Sequence, residues 1–284
     1  MSWTLPYAAH LGMRGPALPL FRHSARSTEP FDQIDFIADL GFTGVQDNYA
    51  ALRPAQEQTR VAQHAARRGL RMGSFVHDPR GWHLPRWSAP DADSRAALMA
   101  QLDRSFETAR RIGGSILTCV TGFDAKLDRQ RQLAAMADNL RRAGDLAAAA
   151  GVVCCVEMTS PRWLPAMLVE TFDDAIALVR TADHPAVKLM FDVGHLALNG
   201  HDLLATFQKV HDLVAAVQLA DVPAGAEPGR IDVGAGLIVW TPLLRAICAS
   251  GYAGLYEIEL EAKGAGLAGE RQMLETLRSV DTAL

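Results

Sequence analysis

Val187-Lys-Leu-Met-Phe-Asp192-Val-Gly-His195 is an almost unbroken apolar run that ends on a carboxylate. A strand covered on both faces reads this way, and such strands belong to parallel sheets flanked by helices. Working outward, similar runs predict strands over 6–12, 44–47, 72–77, 115–121, 152–158, 187–193, 214–220 and 254–260. Amphipathic stretches between them predict helices over 30–40, 55–68, 94–111, 129–150, 171–181, 202–213, 241–250 and 269–283. Eight strand–helix units specify an α/β fold, a single (β/α)8 TIM barrel spanning residues 1–284, with its site at the C-terminal ends of the strands. The competing fold, a doubly wound open sheet, is disfavoured because no strand leads into a Gly-x-Gly-x-x-Gly turn or a phosphate loop. Gly41 and Gly251 each follow a helix and precede a strand, where glycine suits the end of a helix.

Composition narrows the functional classes. Hydrophobic residues make up 49% of the 284 and charged residues 21%, which excludes a disordered or fibrous chain. A net charge of −4 leaves no basic footprint for nucleic acid. No apolar run approaches the roughly 20 residues that span a bilayer, and the N-terminal Met1-Ser-Trp-Thr-Leu-Pro lacks the form of an export signal. No membrane association and a cytoplasmic location are expected. Cys119, Cys154, Cys155 and Cys248 are too few for a disulfide framework, and all four are expected to be buried thiols.

Polar residues interrupt the apolar pattern at strand ends. Glu157 closes Val152-Val-Cys-Cys-Val-Glu157, Asp192 closes the run quoted first, and Gln218 closes Val214-Ala-Ala-Val-Gln218. Glu257 and Glu259 both lie in the last strand with the same parity, so alternation does not choose between them; Lys188 is a candidate partner for Glu257. Singly, each is readable as a strand-end salt bridge, and Asp192 with His195 as an N-cap pair for a helix over 199–213. Together, on four consecutive strands, they converge on one spot of a barrel. Three crowded carboxylates repel one another unless a cation offsets them, and an all-oxygen donor set suits Mg²⁺ or Mn²⁺. Two long loops, 78–92 and 221–239, would build the substrate face, the first bringing Trp82 and Trp87 as a lid or as loop packing.

Val-Glu157, Phe-Asp192-Val-Gly-His195, Val-Gln218-Leu-Ala-Asp221 and the Gly251-Tyr-x-Gly stretch containing Glu259 resemble the xylose-isomerase-like barrel superfamily of sugar isomerases and epimerases. The Gln in the seventh-strand motif is most similar to hydroxypyruvate isomerase-like proteins, since ketose 3-epimerases usually carry His there. Glu227-Pro-Gly and Gly234-Ala-Gly236 resemble their Glu-Pro-Gly-x-Gly stretch, split and lengthened. The specific motifs lie beyond about residue 150. In the first half, Gln46-Asp47-Asn48 stands where relatives commonly carry a Glu at the end of strand two.

The resemblance implies that Glu157, Asp192, Gln218 and Glu259 hold a divalent metal, Mg²⁺ or Mn²⁺ foremost and Zn²⁺ or Co²⁺ as alternatives. Glu157 and Glu259 would double as the acid–base pair, choosing Glu259 over Glu257 by the family's spacing. His195 would bind substrate oxygens, and His77, Arg230 and Trp82 are further candidate substrate contacts. The implied reaction moves a proton through an enediolate on a small carbohydrate-like hydroxy-carbonyl compound. A metal-dependent dehydratase of the inosose dehydratase type and a non-catalytic sugar-binding barrel are the alternatives. An endonuclease on this fold would want more metal-binding His and a basic groove. Relatives are often dimers or tetramers, so a homo-oligomer is a further expectation.

Overall fold

The computed structural model describes residues 2–225, 227–260 and 266–284; Met1 of the N-terminal stretch and Ala226 of the 221–239 loop lie outside them. Among these residues the chain forms nine parallel strand segments: β1 Tyr7–His10, β2 Gly44–Gln46, β3 Arg71–Met72, β4 Phe75–Val76, β5 Ile116–Cys119, β6 Val153–Val156, β7 Val187–Asp192, β8 Val214–Leu219 and β9 Tyr256–Ile258. Their order in the sheet is β3-β2-β1-β9-β8-β7-β6-β5-β4. The two ends of that order, β3 and β4, are halves of the expected third strand, interrupted at Gly73–Ser74. The lower half pairs with β2 and the upper half with β5. The ring therefore has eight strands, as the TIM-barrel reading requires.

The helices are α1 Pro30–Asp39, α2 Ala55–Arg67, α3 Ala92–Ile112, α4 Arg129–Ala150, α5 Phe172–Ala182, α6 Val193–Leu198, α7 Leu203–Val210, α8 Trp240–Ala249 and α9 Gly266–Thr282. Asp91, Asp128, Thr171 and Asp202 cap α3, α4, α5 and α7 by accepting a backbone N–H from the first turn. Gly41 and Gly251 have φ of +83° and +82°, the left-handed conformation that lets the chain leave a helix sharply.

Strand alternation sorts the side chains into two environments. Tyr7, Val45, Leu117, Cys119, Cys154, Val156, Leu189, Phe191, Val217 and Ile258 face outward and pack with the helices into the main core. Inside the ring a small cluster of Cys155, Met190 and Ala216 fills the lower barrel. Above that plug the inward positions turn polar, and these supply the site. The register places Asp192 beside Gln218, and Gln218 beside Glu257, in one row across β7, β8 and β9.

Two expectations are corrected here. Cys248 is exposed, unlike the other three thiols, because Leu244 and Ile247 take the inner face of α8 and Cys248 lies one step round. Lys188 does not reach Glu257; it sits at the bottom of β7 and its Nζ donates to the Asp212 carbonyl at 3.1 Å. No helix among the described residues is long and apolar enough to cross a membrane.

Candidate functional site

A cavity of about 560 Å³ opens at the C-terminal ends of the strands. Its polar floor is formed by Asn48, Glu157, Thr159, His195, Arg230 and Glu259. Its walls are largely apolar: Met13, Tyr49, Val76, Pro79, Trp82, Val120, Trp163 and Leu164. Arg14 stands at the same wall with its guanidinium 5.2 Å from the Trp163 ring centre.

Asp192 ends β7 and caps α6, its Oδ1 accepting the His195 N–H at 2.8 Å. The N-cap reading of this pair therefore holds, but for the short helix Val193–Leu198 rather than for one beginning at 199. A helix of barely two turns suffices because its first turn is anchored to the strand that precedes it. That turn brings His195 over the floor, where ligand atoms of Glu157, Asp192 and His195 lie within 4.8 Å of one another. The Ser160 N–H donates to His195 Nδ1 at 3.0 Å. Nδ1 is then the acceptor of a neutral ring, and the proton sits on Nε2, which faces Glu157 Oε1 at 3.8 Å. Burial and the nearby Arg230 charge both hold the ring well below its ordinary pKa and so neutral. In this tautomer His195 offers an N–H to the cavity rather than a lone pair to a metal.

Arg230 reaches in from the loop after β8. Its Nη2 pairs with Asp192 Oδ2, and its Nη1 donates to Glu259 Oε2 at 3.2 Å and to the Glu259 carbonyl at 3.0 Å. The loop is held in place by Asp221. One of its carboxylate oxygens accepts the Val222 and Ile238 N–H groups at 2.8 and 3.1 Å; the other accepts the Gly234 N–H and the Trp240 indole N–H at 3.1 and 2.8 Å. Gly236 is required for this wrap, since a Cβ there would overlap the Val222 carbonyl and Asp221 itself.

Burial pushes the Glu157 carboxyl well above the ordinary range, with Glu259 and Asp192 adding like-charge repulsion and Arg230 opposing it. Glu259 is likewise raised by burial, against the pull of Arg230 and an Asn48 Nδ2 hydrogen bond at 3.1 Å. Gln218 is buried beneath them, and its side-chain oxygen has no hydrogen-bond partner. A divalent cation fits this donor set on two counts: the carboxylates are short of positive charge, and a buried amide oxygen is left with both lone pairs unused.

Of the sequence candidates, Glu157, His195, Arg230, Glu259 and Trp82 line the cavity, while Asp192 and Gln218 lie just under its floor. His77 does not line it. Val76 takes the inward position, so the next side chain turns outward, where His77 Nδ1 meets Ser105 Oγ of α3 at 3.0 Å. Burial lowers its pKa to about 4. Trp87 is buried as loop packing, so only Trp82 of the pair reaches the cavity. Sequence reasoning missed Asn48, Ser160, Trp163 and Arg14. Asn48 alone carried a signal, as part of the polar run Gln46-Asp47-Asn48 that breaks the second strand.

The profile of the xylose isomerase-like TIM barrel family matches residues 34–281. A 2-oxo-tetronate isomerase of Cupriavidus necator is 27% identical over 203 residues, 71% of this chain and 76% of the relative. An inosose dehydratase of Lacticaseibacillus casei is 32% identical over 109 residues, covering 33% of this chain and 37% of the relative. Among solved structures, an AP endonuclease family 2 protein of Brucella melitensis superposes with a TM-score of 0.78 at 20% identity, over 95% of this chain and 99% of that one, a likeness of fold.

Proposed function

Since this chain belongs to the xylose isomerase-like TIM barrel family, we propose that it is a divalent-metal-dependent isomerase or epimerase acting on a small hydroxy-carbonyl compound, as one barrel domain over residues 1–284. The observation that carries this reading is Glu157 and Glu259 lining one cavity, both with raised affinity for a proton. A carbon-bound proton next to a carbonyl is weakly acidic, so its removal needs both a base facing it, which either carboxyl supplies, and positive charge at the oxygens, which a cation held by the same carboxyls would supply while lowering their own proton affinity.

Glu157, Asp192, Gln218 and Glu259 would hold the cation. When bound, it supplies positive charge at the oxygens that become negative as the carbon loses its proton. One of Glu157 and Glu259 takes the proton and the same or the other returns it, to the neighbouring carbon or to the opposite face. His195 donates its Nε2 hydrogen to a substrate oxygen and stays neutral while doing so. Arg230 adds fixed charge beside Asp192 and Glu259. Trp82 packs on the part of the substrate that does not react. Removal of the β-hydroxyl from the same deprotonated species would give a dehydratase, and the inosose dehydratase relative favours that as the second reading.

The test is a panel of three- to six-carbon ketoses and hydroxy acids with Mn²⁺ or Mg²⁺, following substrate C–H exchange in deuterated water and product identity by NMR. Glu157→Gln is expected to lower exchange about 10²–10⁴-fold with the circular dichroism spectrum unchanged. Exchange that survives EDTA treatment, or that Glu157→Gln leaves intact, would remove the metal or the base from this account.

A further inference from the structure

The cavity is divided in its chemistry. Its reacting floor comes from one arc of the ring: Glu157 follows β6, His195 follows β7, Arg230 lies in the loop after β8 and Glu259 follows β9. The rest of the wall is largely apolar. Met13 comes from the loop after β1, Val76 ends β4, Trp82 lies in the loop after β4, Val120 follows β5, and Trp163 and Leu164 lie in the loop after β6. All of these are half-buried rather than buried, so they keep apolar surface against the cavity they line. Tyr49 adds a ring whose hydroxyl already donates to the Met13 carbonyl at 3.4 Å. Arg14 brings charge to this wall, with its guanidinium laid over the Trp163 ring.

Size and chemistry point the same way. A volume of about 560 Å³ falls in the range of about 300–1,000 Å³ that takes a drug-sized molecule, well beyond what a three- or four-carbon compound fills. A substrate with its hydroxy-carbonyl end over Glu157 and Glu259 leaves the apolar part of the cavity to the remainder of the molecule. A longer run of hydroxyls matches that part poorly, because a hydroxyl turned toward the Val76, Val120 or Leu164 side chain gives up water and gains no partner. A flat apolar ring matches it well. The ring buries against the aliphatic side chains, and Tyr49, Trp82 and Trp163 supply the faces and edges with which aromatic groups gain beyond area alone.

We propose that the substrate carries an aryl group beyond its hydroxy-carbonyl end, and that Trp82, Trp163 and Leu164 form the subsite that selects it. The inference rests on the floor being the reacting centre, as proposed above. It assigns Trp163 and Leu164 to the choice of substrate rather than to proton transfer.

The experiment compares three compounds with the same reacting end: hydroxyacetone, hydroxyacetone bearing a benzyl group on its methyl carbon, and erythrulose, which carries further hydroxyls instead. Binding to the full chain is read by isothermal titration calorimetry with and without Mn²⁺. Exchange of the C–H hydrogens beside the carbonyl is followed by NMR in deuterated water with Mn²⁺. The benzyl compound is expected to bind about 10–100-fold more tightly than either of the others, the gain that burying one phenyl ring brings. In Trp163→Ala that preference is expected to shrink about tenfold. Should that variant fail to fold, Leu164→Gln, which keeps the reach of the side chain and gives it a polar end, is expected to shrink the preference as well. No binding of the benzyl compound, affinity equal to that for the other two, or a preference that both substitutions leave intact would overturn the inference; exchange of erythrulose in the same samples would leave the proposed reaction standing. Selective binding of the benzyl compound, with no exchange here or in the sugar panel, would remove the reaction and keep the aryl subsite.

Discussion

Replacing Asp221 by Asn changes one oxygen for an NH₂ and leaves the shape of the side chain intact, so its consequences follow from hydrogen-bond direction alone. Asp221 accepts four donors, two on each oxygen. The amide keeps one oxygen, and the NH₂ then confronts two donors, either the Gly234 N–H with the Trp240 indole or the Val222 and Ile238 N–H groups. Two N–H groups around a fully buried side chain lose their acceptor. At about 1–3 kcal/mol for each stranded donor, the loss is about 2–6 kcal/mol. For 284 residues the unfolding entropy is about 0.6 kcal/mol/K, so the melting temperature falls by about 3–10 °C if the loop stays closed. If the loop opens instead, the loss is local: the Trp240 indole and the 231–238 amides exchange faster, and catalytic efficiency drops because Arg230 leaves Asp192 and Glu259. Thermal melts, hydrogen exchange and kcat/KM together cover both routes. A variant within 1 °C of wild type, with unchanged exchange and turnover, would refute the claim that Asp221 holds the loop.

Cation binding should expel a proton. Glu157 is held above the ordinary carboxylate range without a cation, and only its deprotonated form is a ligand, so Mn²⁺ affinity rises with pH until the metal-free carboxyl has lost its proton. Calorimetry in buffers of different ionisation enthalpy reads the proton directly, and a pH-independent affinity would contradict the raised carboxyl. Arg230→Met removes the positive partner of Asp192 and Glu259; breaking a buried pair costs about 3–5 kcal/mol. Mn²⁺ should therefore raise the melting temperature more in Arg230→Met than in wild type, whereas an equal rise would mean that Arg230 does not compensate those carboxylates.

The barrel was legible because its strands are nearly continuous apolar runs alternating with amphipathic stretches, and because Gly41 and Gly251 mark where helices give way to strands. The third strand was read as continuous, yet it breaks at Gly73–Ser74: a local pattern does not reveal that a carboxylate from the far end of the chain takes the place of ladder bonds there. Short α6 was hidden within the motif around Asp192, since six residues cannot display helical periodicity. Of the site, the strand-end positions Glu157, Asp192, Gln218 and Glu259 were visible as polar interruptions. The choice between Glu257 and Glu259 was not, because they share one parity and only depth distinguishes them: Glu259 lines the cavity, and Glu257 accepts hydrogen bonds from Ser74 at the break in the third strand. Ser160 and Trp163 lie in a loop whose conformation no periodicity encodes. His77 was misplaced by a single residue of alternation.

The Ser160–His195 bond has a wider consequence. Its donor is a main-chain amide, so no substitution at position 160 other than proline removes it. The ring's tautomer is thus written into the path of the loop after β6 rather than into the identity of any side chain. Variation that preserves every residue of the floor but lengthens or shortens that loop would remove the donor that keeps Nδ1 an acceptor, and so release the constraint that holds the hydrogen on Nε2. In this barrel the chemical character of a side chain on α6 is set by the backbone course of a different strand's loop.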